Sequence, residues 1–276
     1  MKLCVVLLLI ISGLIAASTL IEHRTFTTTE NNTVPGNIHG TPVVVIELFT
    51  SEGCSSCPPA DDLLSRLDQQ PITGVEIIGL SEHVDYWNRL GWHDPYSSPE
   101  FSKRQNVYAD AFLQHSVYTP QMVVDGRQEF VGGNETKAKE AIVTASKTVK
   151  ATVQLNFTDT SHNSVEEEIA LSINVSDLPP IPEGDFADIV VAITENSIAT
   201  NVLRGENAGR FLRHSDVVRQ LNVVGEIPLG KRMFALRHTL HLSREWQRGN
   251  LRVVAFVQGH RTRYMLGAAA MKLSTV

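Results

Sequence analysis

The chain has 276 residues, 42% of them hydrophobic, with 24 Lys+Arg, 30 Asp+Glu and only three cysteines. That length suggests about two domains, and the composition excludes a low-complexity, collagen-like or cysteine-scaffolded protein. The net charge of −6 is uneven: residues 201–276 carry 13 Lys+Arg against 4 Asp+Glu, whereas residues 151–200 hold nine acids and no Lys or Arg. Pairing of acidic with basic strands inside one domain accounts for this better than an external polyanion, so no nucleic-acid partner is expected.

In chain order, residues 1–18 read as a signal peptide: Lys2, an apolar run from Leu3, then Ala16 and Ser18 ahead of a cleavage before Thr19. The apolar run is short for a bilayer span and no later segment is long enough, so a secreted or periplasmic protein without a stable membrane span is expected. Cleavage removes Cys4 and leaves Cys54 and Cys57 as the only thiols, in a compartment where a close pair oxidises. Residues 19–41 are Thr/Asn-rich without periodicity and read as a flexible lead-in. Val43–Phe49 is a buried-strand pattern, Ala60–Asp68 has helical spacing at Ala60, Leu63, Leu64 and Leu67, and Val75–Leu80 is a second apolar run. An aromatic and polar stretch, SEHVDYWNRLGWHDPYSS, follows. Pro99–Gln114 reads as a helix with Phe101, Tyr108 and Phe112 on one side.

Met122–Val124 and Glu129–Val131 flank an Asp125-Gly126 turn and predict a hairpin. Asn134 is the predicted cap of a helix reaching about Val149. Beyond Lys150 the texture becomes strand-like, at Ala151–Thr158, Glu168–Val175, Ala187–Thr194, Met233–Leu242 and Leu251–Gln258, with only His214–Leu221 looking helical. The expected organisation is residues 42–150 as an α/β domain and residues 151–276 as a β-rich, antiparallel sandwich-like domain.

The chemistry sits at Cys54-Ser55-Ser56-Cys57. Three positions apart on a helix, two cysteines are close enough for a disulfide. Pro58 and Pro59 lack N–H donors and belong at a helix start, which predicts both cysteines in its first turn. There the dipole favours thiolate, against the charge of Glu52. Cys54 is the expected exposed nucleophile and Cys57 the expected shielded resolving thiol. Three readings stay open: a redox pair, a staple, or half of a metal site. A loop this short constrains an unfolded chain little, which weakens the staple. A metal site would draw on His83, Asp85, His93 or Asp94, which follow the second strand and emerge at the same sheet edge; a copper-binding or delivery module is therefore the alternative. No cofactor is required.

Strand, Cys-x-x-Cys at a helix start, and the later Thr119-Pro120 before a strand resemble the thioredoxin superfamily over about Pro42 to Lys150. The resemblance implies a thioredoxin-like fold and a cis Pro120 packed against the cysteine pair. VIELFTSEGCSSCPPAD, HVDYWNRLGWHDPYSSPEFSKRQNVYA, VYTPQMVVDGR and GENAGRFLRHSDVVRQL together resemble a family of secreted, thioredoxin-like proteins catalogued as a domain of unknown function. The working expectation is a thiol–disulfide oxidoreductase acting on protein thiols and disulfides. Cys54 and Cys57 are its catalytic residues, and Thr119, Pro120, His83 and Trp87 its substrate wall. Glu195, Asn196, Glu206, Asn207, His214 and Arg219 read as turn and salt-bridge residues.

Overall fold

The computed structural model describes residues 41–69, 72–162 and 167–273. The expected signal peptide, Cys4 and nearly all of the lead-in lie outside the described residues. The chain begins as the sequence predicts, with β1 (Val43–Thr50), α1 (Pro58–Gln69), β2 (Glu76–His83), α2 (Pro99–Ala111), β3 (Gln121–Val124), β4 (Gln128–Val131) and α3 (Glu135–Ala145). β1 is buried along its whole length, so both faces are apolar and it reads as a continuous run, as a central strand requires. The β3–β4 link places Asp125 and Gly126 at φ of 52° and 65°, the left-handed pair of a turn that Arg127 N–H closes on Val124 O at 3.0 Å. Ser98 caps α2 by accepting from Glu100 N–H at 3.2 Å, and Asn134 caps α3 by accepting from Lys137 N–H at 3.1 Å.

The second half contributes β5 (Thr152–His162), β6 (Glu167–Ser176), β7 (Ala187–Glu195), β8 (Ile198–Asn201), β9 (Phe211–His214), β10 (Val217–Ile227), β11 (Phe234–Leu242), β12 (Leu251–Gly259) and β13 (Met265–Lys272). These strands overturn the expected architecture. Instead of a thioredoxin-like α/β domain followed by a separate sandwich, one mixed eight-stranded sheet runs β13-β12-β7-β10-β2-β1-β3-β4 through both halves. The join is between β2 and β10: Val217 pairs with Ser81 in parallel, and Ser81 N–H donates to Asp216 O at 2.8 Å. The segment expected to be helical therefore forms strands. Val217, Val218 and Leu221 satisfied a helical spacing, but antiparallel pairing along β7 over Ala187–Glu195 decides their conformation.

The sheet is covered unevenly. α1 and α3 pack on β1 and β3 around Leu48, Leu63, Leu64, Met122 and Ile142. A smaller β11-β6-β5 sheet packs on the β7–β12 end around Leu155, Leu171, Val191 and Val253. On the other face Phe101 of α2 joins Val45, Leu80, Val190 and Phe256. Beneath α2, Arg104 Nε donates to Glu47 Oε1 at 2.6 Å and its Nη2 donates to Gln258 Oε1 at 3.1 Å, so one guanidinium ties β1 to β12. The uneven charge is spent partly inside the fold: Arg252 lies 3.0 Å from Asp68 and 3.3 Å from Asp216, and Arg219 is 3.6 Å from Glu195. No helix among the described residues is long and apolar enough to cross a membrane.

Candidate functional site

The site lies where β1 ends and the chain turns into α1. Gly53 N–H donates to Ser51 Oγ at 3.1 Å and Cys54 N–H to Ser51 O at 3.1 Å, which curls the chain before the cysteines. Cys54 and Cys57 are joined as a disulfide with Cα atoms 5.5 Å apart. Both precede the helix, whose first residue is Pro58. Cys57 stands at the cap position, its carbonyl accepting from Ala60 N–H at 2.8 Å and Asp61 N–H at 3.2 Å, and Cys54 lies a further turn out. The two prolines, which carry no N–H, take the first two helical positions, so the expected placement of both cysteines in the first turn does not hold. Cys54 Sγ is 3.3 Å from Ser56 Oγ.

The expected difference in exposure is absent: both cysteines are 0% exposed. Ser55 and Ser56 between them are exposed. The turn that carries the two sulfurs is held by three sets of neighbours.

Below, the parallel register sets Thr50 beside His83 at the ends of β1 and β2. His83 Nδ1 is 2.7 Å from Asp94 Oδ2, and the same oxygen accepts from Glu52 N–H at 2.8 Å. Glu52 is itself fully buried, accepting from Trp92 Nε1 at 2.8 Å and lying 3.2 Å from His214 Nε2. The His83 and His214 rings meet edge to face at 4.8 Å, with Tyr96 against both. Burial works against charge on Asp94, but His83 and the N–H donors of Glu52 and Tyr96 outweigh it and hold that carboxyl below its usual range. Asp61, in the first turn of α1, has the opposite fate. Burial pushes its carboxyl up to about 7, against a partial pull downward from His214.

To one side, Trp87 packs against the turn so closely that a Cβ on Gly53 would lie 3.1 Å from Trp87 Cβ. Trp87 Nε1 donates to Thr119 Oγ1 at 2.8 Å, and the Thr119–Pro120 bond is cis. Pro120 is buried, and with Leu48 and Ala60 it leaves room only for glycine at position 132. Trp87 and Thr119 are therefore linked to the cysteine turn. His83 is 0% exposed and supports that turn from beneath. His93 is exposed, and Asp85 accepts from Ser102 Oγ at 2.5 Å. Among the described residues no group of three or more His, Cys, Asp or Glu side chains is arranged to hold a metal ion.

The third set, the cover of the turn, comes from the link between β8 and β9 and bonds the turn through its backbone and Ser55. Asn207 Nδ2 donates to Glu52 O at 2.8 Å and to Cys54 O at 2.9 Å, while Arg210 Nη1 donates to Asn207 Oδ1 at 2.8 Å. Glu206 Oε2 accepts from Ser55 Oγ at 2.7 Å and Ser55 N–H at 3.1 Å, bonds that hold its carboxyl below the usual range. Glu206, Asn207 and His214 thus belong to the cysteine site, although they read from the sequence as turn and salt-bridge residues. The signal that pointed to them was their place in GENAGRFLRHSDVVRQL, one of the segments carrying the family resemblance.

Comparison with solved structures finds the same fold at low identity. A crystal structure of an Agrobacterium tumefaciens protein is 24% identical, with a TM-score of 0.59, covering 85% of this chain and 96% of that one. HBP35 of Porphyromonas gingivalis is 14% identical, with a TM-score of 0.63, covering 88% and 78% respectively. No curated protein matches the chain. The model of a family described as "protein of unknown function (DUF1223)" matches residues 45–258, which include the cysteine turn, both histidines beneath it and the loop above it. The chain belongs to this family.

Proposed function

We propose that the protein is a thiol–disulfide oxidoreductase whose redox pair is Cys54 and Cys57, acting on protein thiols or disulfides after export. The observation that carries this reading is the setting of the bond. A disulfide spanning a sequence separation of 3 removes little entropy from an unfolded chain. Yet the turn that carries it rests on a buried polar group, Glu52, Asp61, His83, Asp94 and His214, whose desolvation costs stability that its hydrogen bonds return only in part. A staple needs none of them. The cis Thr119–Pro120 bond and the helix start beside Cys57 are the local features that accompany the thioredoxin-superfamily resemblance; they support the chemistry without the fold.

In the oxidised protein a substrate thiolate attacks Cys54 Sγ, forming a mixed disulfide and breaking the bond to Cys57, which leaves as a thiolate. A second substrate thiolate then attacks the substrate sulfur and releases Cys54; two electrons have passed to the protein, and the substrate is oxidised. The reverse sequence begins with Cys54 thiolate attack and ends with Cys57 resolving. Ser56 Oγ, 3.3 Å from Cys54 Sγ, donates to a thiolate there. The positive end of the α1 dipole favours charge on Cys57, although Pro58 and Pro59 carry no N–H and those of Ala60 and Asp61 are taken by the Cys57 carbonyl. Asp61, with its carboxyl at about 7, exchanges a proton near neutral pH.

Cys57→Ser is expected to accumulate mixed disulfides with partner proteins, identified by mass, and Cys54→Ser to form few. A bond that only staples yields no trapped partners from either variant, and that result would refute the proposal.

A further inference from the structure

Exchange at a disulfide requires an attacking sulfur to approach along the S–S axis, yet both cysteines are 0% exposed. Some part of the enclosure must therefore open. The wall beneath is a poor candidate, because Glu52, His83, Asp94 and His214 are interlocked and wholly buried. The side wall hangs on Trp87 and the buried Pro120.

The cover differs from both. It is the tip of the β8–β9 hairpin, a two-stranded unit separate from the eight-stranded sheet. The tip is held together by its own backbone bonds: Gly209 N–H to Val202 O at 2.8 Å, Arg210 N–H to Asn207 O at 3.0 Å and Ala208 N–H to Gly205 O at 3.2 Å. Gly205 and Gly209, at φ of 78° and 81°, make its bends. Its hold on the cysteine turn consists of the two Asn207 amide bonds and the two Glu206 carboxylate bonds. Glu206 and Ser55 are exposed, so water replaces that half of the hold at little cost.

We propose that the tip formed by Gly205 to Arg210 is a gate over the Cys54–Cys57 bond, opened when an extended substrate polypeptide offers its own acceptor oxygen to the Ser55 N–H and hydroxyl in place of Glu206. The proposal rests on the oxidoreductase reading for its substrate, but the gating of the bond does not. A backbone carbonyl of an extended segment supplies the acceptor, and the substrate cysteine beside it then faces the uncovered sulfur. Asn207 and Glu206 are positioning residues of this device, acting through the turn rather than on sulfur.

The test uses the full mature chain and dithiothreitol as the probe. One dithiothreitol thiolate forms the mixed disulfide, the second closes the oxidised ring, and two electrons pass to Cys54 and Cys57. Reduction is expected to be on the order of tenfold faster in Asn207→Ala, which loses two hydrogen bonds, and several-fold faster in Glu206→Ala. Reoxidation by oxidised glutathione should accelerate by the same factor, leaving the redox equilibrium with glutathione unchanged, because a gate lowers the barrier in both directions. A merely structural anchor would shift that equilibrium. Should Asn207→Ala fold poorly, the exposed Glu206→Ala carries the test. Rates within twofold of the parent in Glu206→Ala and in any folded Asn207 variant, or an equilibrium shifted as far as the rates, overturn the gate. If Cys57→Ser traps no partner while the loop variants still speed reduction, the gate stands and the oxidoreductase reading falls. If trapping persists with unchanged rates, only the gate falls.

Discussion

The backbone N–H of Asp61 donates to the carbonyl oxygen of Cys57 at 3.2 Å, which places a buried carboxyl just past the second cysteine. Burial raises that carboxyl from 3.8 to about 7. The folded protein therefore holds a proton there that the unfolded chain has already released. Asp61 costs no stability below its unfolded value, and its penalty grows as pH rises from about 4 through 7. The ceiling on this penalty is on the order of 4 kcal/mol. Asp61→Asn is expected to raise the melting temperature at pH 8 and to leave it nearly unchanged at pH 4. Equal shifts at the two pH values would show that the carboxyl does not titrate as described.

Asp94 has the opposite slope. Its carboxyl is held below the usual range, burial being outweighed by His83 and two backbone donors. Its contribution is present above the unfolded value near 4 and is lost as pH falls through the lower folded value. Asp94→Asn should destabilise the protein by about 2–3 kcal/mol at pH 7 and far less in strong acid, as read by urea unfolding at the two pH values.

Arg104 sits between Glu47 and Glu82, both buried. Burial first and the Glu47 charge second hold the Glu82 carboxyl well above its ordinary range, and the guanidinium lies closer to Glu47, at 2.6 Å, than to Glu82, at 3.4 Å. Arg104→Met should cost about 3–5 kcal/mol, because it removes the guanidinium from the buried Glu47 carboxyl. Adding Glu47→Leu should recover part of that loss. A double variant as unstable as the sum of the singles would show that the two do not act as a pair.

Gly126 offers a backbone test. A Cβ there would overlap the Arg263 carbonyl oxygen, at a position already held at φ of 65°. Gly74, at φ of 78°, meets nothing within 4 Å. Gly74→Ala should cost about 1–2 kcal/mol for the left-handed conformation alone, and Gly126→Ala at least about 3 kcal/mol. Similar losses would remove the close approach of the hairpin to the β12–β13 turn as a cause.

What the sequence made legible was local. Asp125-Gly126, the Asn134 cap and the apolar run of β1 act within a few residues, and each stands where its chemistry points. α3 nonetheless ends at Ala145, short of Val149, since little apolar surface remains to pack beyond it. The pairing of β10 beside β2 was not legible, because Val217 and Ser81 are brought together by the sheet and their own neighbours carry no mark of it. The site divides in the same way. Cys54, Cys57 and the cis Thr119–Pro120 bond were recognisable from spacing and resemblance. The cover by Glu206 and Asn207 was not, since a loop residue that bonds to a distant carbonyl looks like any other turn asparagine.

The bond between Asn207 and the Cys54 carbonyl spans 153 positions, and that separation has a consequence in time. At about 5–20 residues per second, the ribosome delivers the cover roughly eight to thirty seconds after the cysteines. β2 waits equally long for the strand that protects its edge. A nascent chain halted near Lys150 therefore presents both cysteines and an unpaired strand to whatever chaperone or oxidant is at hand, and their seclusion waits until the chain has grown past Asn207.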